Sequence, residues 1–244
     1  MTARMLALDL RRGPAPIVAL AVLVLGGAQA LSAADACDGR WSGALFALRQ
    51  DAMWLAFPCV LAAGVWRGGR ARRRQLDDAL GAASLPAWRR AAVEGGSIGV
   101  AGLAAVVVLL GAVIATGGCT SGPGSWAAAG SGVVTVLSLF AAAFVGLALG
   151  RVATGPMVTP LVLFLALAVT SVFGGWTAED GRAMLLLPAV GEEAAADDLT
   201  GRISVAQMLW FAGLGLAGWL AASQRLLAGL AVGVAGLVAL LALA

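Results

Sequence analysis

Residues 67–90 read RGGRARRRQLDDALGAASLPAWRR and hold seven of the chain's sixteen basic residues. The stretch lies between two long runs that are almost free of charge, 51–66 and 91–116. Each arginine at the centre of a bilayer costs on the order of 2.5–3.5 kcal/mol on the insertion scale. Five of them between Arg67 and Arg74 therefore exclude the segment from lipid. It must lie in water or against a partner, as the one large polar handle of a chain otherwise built for a membrane.

Composition points the same way. Hydrophobic residues make up 61% of the 244 and charged ones 12%, with a mean hydropathy of +0.94, which suits a polytopic membrane protein and exceeds what a soluble core needs. Every basic residue is Arg, and the chain has no Lys, His or Tyr. A phosphate-binding loop of the form GxxxxGK[ST] needs its Lys, so any ATP hydrolysis is expected from another polypeptide. Without His there is no Ser/His/Asp or Cys/His nucleophile pair and no zincin motif. A non-catalytic chain with no cofactor of its own is the expectation, and no nucleic-acid partner is expected.

Working outward from the handle, apolar runs long enough to cross roughly 30 Å at about 1.5 Å per residue fall at 16–34, 51–66, 91–116, 127–150, 157–173, 205–222 and 226–244. They predict seven spans in an all-α bundle. The second is the shortest, and an earlier start near Ala44 would carry Arg49 and Asp51 into the outer headgroup zone, where snorkelling is preferred over a buried functional pair. Residues at i and i+2 do not face each other on a helix, so each needs another partner or water. Basic residues near span ends stay cytoplasmic. With the N terminus inside, that side carries Arg4, Arg11, Arg12, the seven arginines of 67–90, Arg151 and Arg225, and the opposite side carries nine acids. The expected location is thus the cytoplasmic membrane, with a cytoplasmic N terminus. Arg11 and Arg12 followed by an apolar stretch also fit a secretory signal, but an uncleaved first span is preferred because six further apolar runs follow. Cys37 and Cys119 both fall on the outer side, where a disulfide between them and two independent thiols are equally open.

Within the handle, 72–83 reads as a short amphipathic helix with Leu76 and Leu80 on one face and Gln75, Asp77 and Asp78 displaced from it. Pro86 suits an early position of the next helix, where its missing N–H does no harm. A bare topogenic loop that binds anionic lipid needs the arginines but has no use for two acids, an apolar pair and a turn. The alternative is a docking surface in which Leu76 and Leu80 insert into a partner while the charges set register.

This order, a span ending in a basic stretch, then RRRQLDDALGAASLPAWRR, then a further span, resembles the permease subunits of type-2 ABC exporters, especially actinobacterial ones. The resemblance covers about 1–225, a six-span transmembrane permease domain with 67–90 as its cytoplasmic elbow. It implies that Gln75, Leu76, Asp77, Asp78 and Leu80, led by Arg72, Arg73 and Arg74, form a coupling helix docked on a separate ATPase subunit that carries ATP and Mg2+. It also implies that 5–12 lie as an amphipathic helix along the inner surface, that the second and fifth spans line the path, nominating Trp54, Phe57, Phe164 and Thr170, and that 174–204 hold short helices capping the outer end. In that outer segment Leu185, Leu186 and Leu187, next to Pro188, are the candidate gate, while Glu192, Glu193, Asp197 and Asp198 read as a solvated acidic loop in preference to a cation site. The stretch 226–244 departs from the six-span pattern as an additional apolar span or the start of a longer C-terminal region.

Small residues recur at helix-contact spacing in Gly95 and Gly99, Gly146 and Gly150, and Gly229 and Gly233, as close helix packing and a permease dimer require. The partners expected are therefore an ATPase subunit, a second permease copy or paralogue, and membrane lipid. The expected function is export of an apolar or amphipathic substrate, since the spans offer no mid-membrane acid or base. The alternatives are a noncatalytic membrane scaffold or assembly partner and an ion-coupled secondary transporter, which would want ionisable groups at the midplane.

Overall fold

The computed structural model describes residues 7–11, 13–34, 49, 53–70, 86–116, 126–153, 155–176, 197–223 and 225–243. A short helical segment at 7–11 precedes seven helices: α1 (Ala15–Ala34), α2 (Met53–Gly68), α3 (Ala87–Thr116), α4 (Trp126–Val152), α5 (Val158–Trp176), α6 (Asp197–Ala222) and α7 (Leu226–Leu243). No strand occurs among the described residues. The helices fall on the seven apolar runs, because a chain segment without water can satisfy its backbone polar groups only within itself. Three of them, over Ala87–Thr116, Gly130–Val152 and Val205–Ala222, are long and apolar enough to cross a membrane.

Local chemistry sets the ends at the arginine-rich pole. Pro86 immediately precedes α3, where its carbonyl accepts from the N–H groups of Arg89 and Arg90 at 3.0 and 3.2 Å. α2 and α4 finish with Arg67 and Arg151 in their last turns, a placement that the negative end of the helix dipole favours.

α4 stands at the centre and packs against α2, α3 and α6, while α1 lies on α3 and α2, α5 on α2, and α7 on α6. One core cluster joins Val18 and Val22 of α1, Ala56 and Val60 of α2, Ile98 and Leu109 of α3, and Leu139 and Ala143 of α4. Glycines decide how closely these helices meet. A Cβ on Gly64 would lie 2.6 Å from the Ala143 carbonyl oxygen and 3.0 Å from the Gly146 Cα, and Cβ atoms on Gly68, Gly146 and Gly150 would strike the facing backbone. α2 and α4 therefore cross backbone to backbone through Gly64, Gly68, Gly146 and Gly150. Gly218 brings α6 onto α4 in the same way, since a Cβ added there would lie 2.6 Å from the Val145 nitrogen. Gly95 and Gly99 instead leave room for the rings of Phe144 and Phe140, and Gly229 lets α7 approach the Ala217 carbonyl of α6. The three glycine pairs legible in the sequence thus serve contacts inside one chain.

Candidate functional site

Five chain segments meet in a charged cluster at the end of the bundle where α2 stops and α3 begins. Arg67 ion-pairs with Asp9 of the short N-terminal segment and lies 4.0 Å from Glu94 of α3, while Arg151 of α4 pairs with Glu94 at 2.8 Å. The buried Ser97 hydroxyl donates to Asp9 Oδ2 at 2.6 Å, with the Glu94 carbonyl 3.0 Å away as the alternative acceptor of its one proton. Arg151 also donates to the Ala222 carbonyl, capping the C-terminal end of α6. The Gly13 N–H closes back on the Asp9 carbonyl at 2.7 Å and holds the turn that presents Asp9. Side-chain exposures of 13% for Asp9 and 15% for Arg67 mean that water screens this pair only partly. Hydrogen bonds to charged groups in such places are worth roughly 1.5–3 kcal/mol each.

An aromatic rim surrounds the cluster. Trp219 Nε1 donates to the Trp88 carbonyl at 3.1 Å, and the two rings meet edge to face at 6.3 Å. Arg89 stacks over Trp88 at 4.9 Å and Arg70 over Trp66 at 5.8 Å. Exposed indoles paired with arginines are what a membrane–water boundary selects. The first and last described parts of the handle, 67–70 and 86–90, are therefore both rooted in this cluster and its rim.

A second polar site lies near the other pole. Arg49 is 1% exposed, and it donates to Ser131 Oγ of α4 at 2.8 Å and to Gln207 Oε1 of α6. From Ser131 to Arg151 is about 30 Å along α4 at 1.5 Å per residue, so the two sites occupy opposite ends of the same helix. The expectation that Arg49 snorkels to the headgroups is corrected here: a hydroxyl and an amide oxygen supply acceptors inside the bundle, so the guanidinium stays there. The bundle interior accordingly does contain a base. Below Arg49, Phe57 and Phe211 meet edge to face at 6.4 Å within a cluster of Val134, Leu137, Met208 and Leu214. Trp210 belongs to the same cluster, and its Nε1 is buried with no hydrogen-bond partner among the described residues.

Of the path residues named from the sequence, Phe57 faces α6 through Phe211, Trp54 is partly exposed, and Phe164 is 73% exposed on α5. Thr170 is buried, with its hydroxyl turned back to the Ala166 and Leu167 carbonyls of its own helix at 3.0 Å. Arg72, Arg73, Arg74, Gln75, Leu76, Asp77, Asp78 and Leu80 lie outside the described residues, as do Leu185, Leu186, Leu187, Cys37 and Cys119. The two polar sites escaped sequence reading because their members are far apart in the chain. Faint signals existed: Asp9 and Glu94 are acids within arginine-rich flanks, and Gln207 is the one amide in the run 205–222. No protein family, curated protein or solved structure matches this chain.

Proposed function

We propose that this chain is the membrane-spanning permease subunit of a type-2 ABC exporter, set in the cytoplasmic membrane with its N terminus inside and coupled to a separate ATPase subunit. In this reading 1–225 form the six-span unit, 226–244 add a seventh span, and a second permease copy or paralogue completes the path. The observation that carries it is the ionic cluster at the roots of 67–90. A load applied to that elbow reaches α2 through Arg67, α3 through Glu94, and α4 and α6 through Arg151 and the Ala222 carbonyl. Asp9 ties the N-terminal segment to the same point, which suits a helix lying along the inner surface. Leu76 and Leu80 then act as the docking pair, and ATP-driven closure of the partner moves the elbow as a lever. Buried Arg49, with Ser131 and Gln207 beside it in a largely apolar bundle, favours an amphipathic substrate over a purely apolar one.

The test is copurification. The wild-type chain solubilised from its own membranes brings down a nucleotide-binding subunit that hydrolyses ATP, and the double substitution Leu76→Asp/Leu80→Asp loses that subunit with the thermal unfolding midpoint unchanged. A double variant that retains the subunit and an unchanged ATPase rate overturns the docking assignment. Capture of a partner without ATPase activity favours the scaffold reading.

A further inference from the structure

The charged pole and the glycine crossings leave α2, α4 and α6 joined very differently at their two ends. Toward the arginine-rich pole the three helices touch backbone to backbone through Gly64, Gly146, Gly150 and Gly218. Contacts this close are lost at once if the helices separate, so this half moves as one piece or pivots about the crossing. In the other half, the contacts among the described residues are chiefly between side chains: Phe57 on Phe211, Val134 and Leu137 beside Met208, and Arg49 bonded to Ser131 and Gln207.

We propose that Arg49, held by Ser131 of α4 and Gln207 of α6, is the outer latch of the transport path, and that the path opens between α2, α4 and α6 by splaying about the glycine crossing. The inference rests on the permease reading for its meaning, but its geometry belongs to the chain itself. Arg49 stands four residues before α2, so it couples the start of that helix to both neighbours at the greatest distance from the pivot. There a small rotation produces the largest separation. Opening would expose Ser131 and Gln207, and it would give water or substrate access to the buried Trp210 Nε1, which lies one turn along α6 from Gln207. The closed outer half therefore folds hydrogen-bonding groups inward, among them the Trp210 indole, which has no partner among the described residues. An amphipathic molecule carrying an acceptor finds its polar contacts at this level. Arg49 is a positioning residue in this scheme, acting through α4 and α6.

Accessibility of a buried probe reads the latch directly. In a background with Cys37, Cys59 and Cys119 replaced, Val134→Cys reports the outer half and Ala91→Cys, packed beside Leu147 and Ala222, reports the inner half. The full chain is placed in phosphatidylcholine nanodiscs, which leave both faces open, and treated with a bulky polar maleimide. Arg49→Gln is expected to speed labelling at 134 about tenfold, as loss of one charged hydrogen-bond set allows, with labelling at 91 unchanged. Gln207→Glu, which replaces the amide acceptor of the guanidinium with a charged one, is expected to slow labelling at 134 below the parent rate. A merely structural Arg49 predicts that both probes speed up together, or that Gln207→Glu and Arg49→Gln shift labelling in the same direction, and either result overturns the latch. An unchanged rate at 134 in Arg49→Gln overturns it too. If the rates move as expected in a chain that captures no ATPase, the latch stands and the permease reading falls. If capture succeeds and the rates do not move, the reverse holds.

Discussion

Glu94 is the acid on which the charged pole turns, because it lies between two arginines from different helices. Replacing it with Gln leaves Arg67 its ion pair with Asp9 and removes the carboxylate charge from Arg151, which keeps the Ala222 carbonyl and at most a neutral amide acceptor at 94. The expected result is a lowered unfolding midpoint for Glu94→Gln and for Arg151→Gln, and a double variant less destabilised than the sum. Groups bonded at 2.8 Å should show a coupling of roughly 0.5–3 kcal/mol in that cycle, read by thermal unfolding in nanodiscs. Additive effects would remove Glu94–Arg151 as a link in the cluster. At this scale the sequence was least informative. Arg151 and Arg67 are legible as residues that keep span ends on one side, but their acid partners are not, since a pairing 57 residues apart depends on which helices become neighbours. Arg49 shows the same limit, for its burial depends on acceptors that come from α4 and α6.

Among elements, the helices were largely legible and their contacts were not. The runs 91–116 and 127–150 anticipate α3 and α4 to within four residues at each end, because apolar length alone marks a helix that must bury its backbone polar groups. The run 205–222 misses the first eight residues of α6, Asp197 to Ser204, where the helix continues through polar side chains that carry no hydropathy signal. Glycine spacing announced close packing without naming the partner. Now that the partners are known, the glycines separate into two classes with different expected tolerance. Gly64→Leu should abolish the folded species in size-exclusion chromatography, since even its Cβ meets the α4 backbone, whereas Gly96→Ala and Gly132→Ala, with open space around the added carbon, should be neutral or slightly stabilising. Equal loss in all three would mean that α2 and α4 do not cross where described.

Over the whole molecule, direction and charge agree. α2, α4 and α6 run one way and α3 the other, as the paired contacts of Gly64 with Ala143 and Gly68 with Leu147, of Gly215 with Ala141 and Gly218 with Val145, and of Gly95 with Phe144 and Gly99 with Phe140 require. Asp9, Arg67, Glu94 and Arg151 therefore collect at one pole and Arg49 lies near the other. The exposed apolar faces of α5 and α7, with Phe164, Leu161, Leu227 and Val234 outermost, suit lipid and would be a liability in water. In the proposed reading, a basic elbow whose described ends are rooted in this charged cluster would receive force from a partner and pass it to several helices at once. The most direct measurement is a photocrosslink from the elbow itself, with a benzophenone amino acid at position 76 in intact cells and the partner identified by mass spectrometry. The account predicts a dominant crosslink to a nucleotide-binding protein that carries the phosphate-loop lysine absent from this chain. Crosslinks confined to lipid, to another copy of this chain, or to a protein without such a loop would contradict it.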